Sequence, residues 1–170
     1  MTTSEDQTTR VHAPWGEERW HEIARPQIHG HDIFTGKILG DYIVSGSEEK
    51  ILRSFQPTDV FVKTLENVSG IPVDFIKHVA PAATLPALGL SNLPEEVSEA
   101  QRSDPNYFEN LSLNARLDED FLRAHTLWPE VSKLYGHVYE ICAIATSPVD
   151  PLIASGSQAS KPQFASIILW

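Results

Sequence analysis

Cysteine is almost missing from this sequence: Cys142 is the single one in 170 residues. That excludes an intrachain disulfide and the small scaffolds that depend on one, and it fits a reducing compartment. Basic charge is sparse as well. Thirteen Lys and Arg face twenty-three Asp and Glu, for a net charge of -10, and no Lys/Arg cluster interrupts that balance. Such a chain is soluble and is repelled by phosphate backbones, so direct nucleic-acid binding is not expected. No apolar run reaches the roughly 20 residues that a membrane-spanning helix needs. The start, Met1-Thr2-Thr3-Ser4-Glu5-Asp6, lacks the charged-then-apolar pattern of a secretory signal. The expected location is cytoplasmic, with the nucleus left open, and no membrane partner is expected.

What is present is repetition. One segment runs Ile28-His29-Gly30-His31-Asp32-Ile33, then Tyr42-Ile43-Val44-Ser45-Gly46-Ser47, then Lys50-Ile51-Leu52-Arg53-Ser54-Phe55. A second runs Gly136-His137-Val138-Tyr139-Glu140-Ile141, then Leu152-Ile153-Ala154-Ser155-Gly156-Ser157, then Ser166-Ile167-Ile168-Leu169-Trp170. Each goes from a histidine beside glycine, through an apolar run ending Ser-Gly-Ser, to a strand closed by a large aromatic. This is the order of a WD-repeat blade of a β-propeller. A closed propeller needs at least four blades of about forty residues, more than this chain holds. The expected fold is therefore all-β: two blades plus part of a third, with a long irregular connection.

Strands are expected near Asp32–Thr35, Tyr42–Ser45, Ile51–Phe55 and Val60–Leu65, with short turns between them that favour an antiparallel sheet. Asp6 to His12 reads as a turn aspartate followed by a threonine-rich ribbon, and its Arg10 overlays Arg53. Trp15 and Trp20 are expected to pack. Between the blades, Pro72, Pro81, Pro86 and Pro94 break regular structure, with room for one strand over Leu85–Ser91. Glu95 to Asp120 is acidic and polar, a solvated loop or insertion with a short helix over Asp118–His125. The resulting division is 1–16, the end of a preceding blade; 17–66, a blade; 67–126, a connection or insertion; and 127–170, a blade lacking its last strand. Both ends are read as cut through a blade, as in a fragment of a longer protein.

One cluster invites a catalytic reading. His29 and His31 lie one residue apart, so they share one side of a strand, and Asp32 could complete a metal site of the hydrolase kind. Against this, His29 overlays His137, which has no companion histidine, while His31 overlays Tyr139 and Asp32 overlays Glu140. The doublet is then a substitution inside a repeat, and no further His/Asp cluster supports a metal. Ser45-Gly46-Ser47 and Ser155-Gly156-Ser157 lack the Gly-x-Ser-x-Gly elbow and recur at one repeat position, which marks turn residues. Cys142 sits in an apolar run, as a small packed side chain would. There is no glycine-rich phosphate loop. No catalytic residue, metal ligand or cofactor is expected.

Several segments together resemble one family. Ala24-Arg25-Pro26-Gln27-Ile28-His29-Gly30, Leu85-Pro86-Ala87-Leu88-Gly89-Leu90-Ser91-Asn92 and Leu127-Trp128-Pro129-Glu130-Val131-Ser132-Lys133-Leu134-Tyr135-Gly136-His137 look like the WD-repeat subunit of the Elongator complex. They occur in the family's order and span nearly the whole chain. The family has two propellers in tandem, and this chain resembles the end of the first and the start of the second. The resemblance implies a non-catalytic scaffold that holds the large scaffold subunit and the catalytic radical S-adenosylmethionine/acetyltransferase subunit. It thereby implies support of wobble-uridine modification in tRNA. The chain departs from the family at His31, where an aromatic is usual, and at Glu49, which stands where a blade-turn aspartate belongs. Another WD-repeat adaptor, or a metal hydrolase using His29, His31 and Asp32, are the alternatives.

Overall fold

A computed structural model describes residues 1–15, 19–73, 80–86, 91–95 and 117–170. The chain divides into two compact units, each discontinuous in sequence. The first comprises Met1–Thr9, Gln27–Gln56 and Glu130–Trp170; the second comprises Arg10–Pro26 and Pro57–Pro129. The strand content is antiparallel throughout the registered sheets, and the class is all-β with WD-repeat blades.

Ahead of the first unit's main sheets, β1 (Thr2–Thr3) leads into β2 (Thr8–Trp15), which pairs with β3 (Arg19–Ile28). The expected turn aspartate is there: Asp6 Oδ1 accepts from the Thr8 amide at 3.1 Å. Gln7, with φ of 68°, makes the reversal.

The main sheet of the first unit has the order β4 (Ile33–Leu39), β5 (Tyr42–Ser47), β6 (Ile51–Phe55) and β9 (Glu130–Tyr135). Strands β4 and β5 close with Leu39 opposite Tyr42, leaving a two-residue turn. Its first residue, Gly40, takes φ of 56°, a conformation that favours glycine. In β5 and β6, Val44 faces Ser54 and Ser45 faces Arg53; in β6 and β9, Arg53 faces Lys133 and Leu52 faces Leu134.

The second sheet is β10 (Ile141–Thr146), β11 (Ile153–Ser157) and β12 (Ile167–Leu169). The two sheets meet in one apolar core of Val44 and Leu52 from the first with Ile141, Ile144 and Ile153 from the second. Gly46 is required by that approach. A methyl group added there would collide with Cγ2 and Cβ of Ile141. The matching glycine of the second sheet, Gly156, meets nothing within 4 Å among the described residues.

In the second unit, α1 spans Asp59–Ser69. This corrects the strand expected at Val60–Leu65. Thr58 accepts from the Phe61 amide as N-cap, Asp59 complements the helix dipole, and Gly70 closes the end at φ of 66° with its N–H on Glu66 O. Val60, Phe61, Thr64 and Val68 then share one buried face at helical spacing. The fourth strand of the first sheet comes instead from Glu130–Tyr135, so residues 57–129 are inserted between its third and fourth strands. Leu134 and Tyr135, part of the Leu127–His137 motif, belong to β9.

Short strands β7 (Ala83–Thr84) and β8 (Leu93–Pro94) pair, and α2 spans Glu119–His125 with Asp118 as N-cap, where the short helix was expected. Residues 87–90 of the strand expected over Leu85–Ser91, and most of the acidic segment, lie outside the described residues; Leu85, Pro86 and Ser91 are described and are not in a strand. Trp20, expected to pack, is 70% exposed.

Candidate interaction site

The repeat's buried polar residues hold the blades. In the first sheet, Arg53 on β6 is the hub. Its Nε and Nη2 donate to the two carboxylate oxygens of Glu49 at 2.7 and 2.9 Å, and its Nη1 donates to Glu130 Oε2 at 2.6 Å. Register explains the reach: Glu49 lies in the turn before β6, and Glu130 opens the neighbouring β9. Lys133 adds a contact to Glu130 at 3.3 Å. The Arg53 side chain is 5% exposed and that of Glu130 only 7%. A charge at that depth is tolerable only when paired and fully hydrogen-bonded.

His29 belongs to this network. Its Nε2 lies 3.0 Å from Glu49 Oε2, in ion-pair range without hydrogen-bond alignment, and its Nδ1 accepts from the His31 amide at 2.9 Å. Burial is the main influence on His29 and pushes its pKa below the usual histidine range, against the pull of Glu49. For Glu49, burial pushes the carboxyl up, but the hydrogen bonds and charge of Arg53, with help from His29, hold it below the usual carboxylate range.

His31 is half-exposed and turns to Glu48, 3.7 Å away. Asp32 offers its backbone carbonyl to the Glu48 amide at 3.2 Å. The three residues of the tempting metal cluster are thus neighbours, with His29 and His31 rings 5.6 Å apart. Among the described residues no three His, Cys, Asp or Glu side chains converge to hold a metal.

The second sheet uses a different set at the same place. Trp170 Nε1 donates to Ser155 Oγ at 2.8 Å, and Ser155 Oγ lies 2.8 Å from His137 Nε2. Indole can only donate, so Ser155 Oγ accepts from Trp170 and faces Nε2 of His137 with its own proton and a second lone pair; the other ring nitrogen of His137 is Nδ1. That nitrogen is buried without a partner among the described residues. The reason is legible in the repeat. Glu48 donates its amide to Asp32 O and Gln158 donates to Glu140 O, so the position after each is equivalent: Glu49 in the first sheet, Ala159 in the second. Where the first sheet has a carboxylate, the second has a methyl group. Burial lowers the His137 pKa, with the Ser155 hydrogen bond opposing it.

In the second unit, the motifs that carry the family resemblance meet. Asn92 Nδ2 donates to Pro26 O at 2.9 Å and to Trp128 O at 2.8 Å, while the Trp128 amide also donates to Pro26 O at 3.0 Å. The Trp128 ring meets Phe61 edge-on, with centroids 4.7 Å apart. Arg25, from the same stretch as Pro26, is clamped by both oxygens of Glu22 and by Glu119 on α2. The hydrogen bonds of Glu22 are the first cause of a raised Arg25 pKa, with Glu119 adding to it against the cost of burial. Sequence reasoning found these motifs without seeing that one asparagine ties them together.

At one end of the two sheets, the loops entering β4 and β10 and those leaving β5 and β11 border an open surface cavity of about 630 Å³. Phe34, Glu48, Tyr139, Glu140 and Gln158 line it together with His31.

Adjacent antiparallel sheets, each built on a histidine-to-Ser-Gly-Ser repeat and packed through an Ile-on-Gly contact, define WD-repeat propeller blades. No protein-family model matches the chain. Individual proteins do. Over its full length the chain is 42% identical to Elongator complex protein 2 of Drosophila melanogaster and 40% identical to that of Mus musculus. To the Saccharomyces cerevisiae protein of the same name it is 40% identical over 98% of the chain. The chain spans about a quarter of these relatives' length, 24% in each case. It is a homologue of Elongator complex protein 2 across all of its own length.

Proposed function

We propose that this chain serves as a non-catalytic scaffold segment of the Elongator complex. In this reading it organises the large scaffold subunit and the catalytic subunit, and so supports modification of the wobble uridine of tRNA. The observation that carries the reading is the similarity to Elongator complex protein 2 along the entire chain. The chemistry described above supports it. Arg53, Glu49, Glu130, Ser155 and Trp170 spend their polar atoms on one another, holding blades rather than addressing a substrate. Blades of this kind present surface, and the net charge of -10 directs that surface toward protein partners and away from phosphate backbones. The cytoplasm is the proposed location.

The test is affinity capture of a tagged gene product containing this segment, followed by mass spectrometry. The expected outcome is recovery of the other Elongator subunits. Recovery of an unrelated complex in their place would overturn the proposal in favour of another WD-repeat adaptor.

A further inference from the structure

We infer that the cavity at the loop end of the two sheets is a receptor for an arginine side chain presented by a protein partner. The inference concerns the chemistry of this surface and stands whether or not the partner belongs to Elongator.

The argument begins with charge. The other carboxylates of the two blades' polar cluster are spoken for: Glu49 and Glu130 are taken up by Arg53. Glu48 and Glu140 are exceptions. Among the described residues neither pairs with a lysine or arginine. Glu48 has only the half-exposed His31 at 3.7 Å, and Glu140 has no ion-pair partner. Both line the same cavity. Two carboxylates lining one open pocket without a cation attract one from outside.

The second part is the ring lining. Phe34 on β4 is 42% exposed, a large apolar side chain left at the cavity wall. Tyr139 is fixed, because Ser160 Oγ donates to its hydroxyl at 2.9 Å and its ring packs near Phe164 at 5.9 Å. Aromatic faces beside carboxylates suit a guanidinium group, which stacks on a ring with its plane while its N–H fork engages carboxylates. An ammonium group satisfies the charge but not the stacking plane. A phosphate or an acidic segment is repelled. The space, about 630 Å³, admits a whole arginine side chain with its flanking backbone.

The test is fluorescence anisotropy with the 170-residue chain and a fluorescein-labelled Gly-Arg-Gly-Arg-Gly peptide. The control is the same peptide carrying citrulline, the neutral isostere of arginine. Binding of the arginine peptide is expected to weaken with added salt, and binding of the citrulline peptide is expected to be at least tenfold weaker. The E48Q/E140Q variant should lose at least tenfold while keeping the wild-type circular dichroism spectrum. Phe34→Leu should lose several-fold through the missing ring alone. The D41N/D150N variant removes the same net charge at another pocket of the same unit and should bind like wild type. Equal binding by wild type and E48Q/E140Q, equal loss in D41N/D150N, equal binding of the citrulline peptide, or no binding of the arginine peptide would each overturn the inference.

Discussion

Replacing Arg53 with methionine tests the physical account of the first blade directly. The wild-type guanidinium makes three charge-assisted hydrogen bonds, two to Glu49 and one to Glu130, all between 2.6 and 2.9 Å. Methionine keeps much of the side-chain volume but leaves both carboxylates facing a thioether. Removing one partner of a buried pair costs about 3–5 kcal/mol. Here Lys133 still reaches Glu130 and His29 still faces Glu49, so the lower end, about 3 kcal/mol, is the expected loss. Urea unfolding followed by tryptophan fluorescence reads it. The triple variant R53M/E49Q/E130Q removes the stranded charges and should regain more than half of the loss. The cost should also shrink in acid. Glu49 sits below its unfolded pKa, so its contribution is present above about pH 4.5 and lost as pH falls through the lower folded value. An R53M loss below about 1 kcal/mol at neutral pH, or a triple variant no better than R53M, would refute the reasoning.

Three further outcomes follow from the same geometry. Ala159→Glu places a carboxylate where Glu49 stands in the first blade and gives the buried His137 Nδ1 an acceptor; thermal unfolding should show a gain of about 1 kcal/mol. Asn92→Leu takes the side-chain donor from the Trp128 carbonyl and leaves Pro26 O with the Trp128 amide, and should cost about 2 kcal/mol in the same assay. His29 and His137 are both held below their unfolded pKa by burial, so each favours the folded state above about pH 6.5. That share of stability should decline as pH falls from 6.5 toward the depressed folded values, and a His29→Gln/His137→Gln variant should flatten the decline.

Local pattern carried the fold as far as local pattern can. Strands β5, β6 and β11 were legible because an apolar run ending in Ser-Gly-Ser recurs, and α2 was legible from Asp118 and the acidic first turn. Helix α1 was misread because Val60, Phe61 and Val62 together weigh toward extended structure. The signals that decide the matter, Thr58 before the segment and Gly70 after it, were present and lie outside the misread run. The fourth strand of the first sheet was not legible. Nothing near Glu130–Tyr135 says that it pairs with β6 across an insertion, since pairing at that separation depends on tertiary packing. The histidine doublet was legible as a repeat landmark, but its dependence on Arg53 required the register that sets Arg53 beside β9. Trp20 shows the limit of composition: a large aromatic marks a buried place only on average.

The glycines of the two Ser-Gly-Ser segments give the molecule a built-in gauge. At Gly46 the missing side chain is filled by Ile141, and any larger residue must push that isoleucine away. Gly156 holds the same repeat position, yet the space above it is open among the described residues. Gly156→Val therefore collides with nothing among the described residues and would be harmful only where a further residue closes over that face. Measured in any longer assembly, its cost reads out how tightly the face is covered, in the way that a Gly46→Val variant reads the contact already visible.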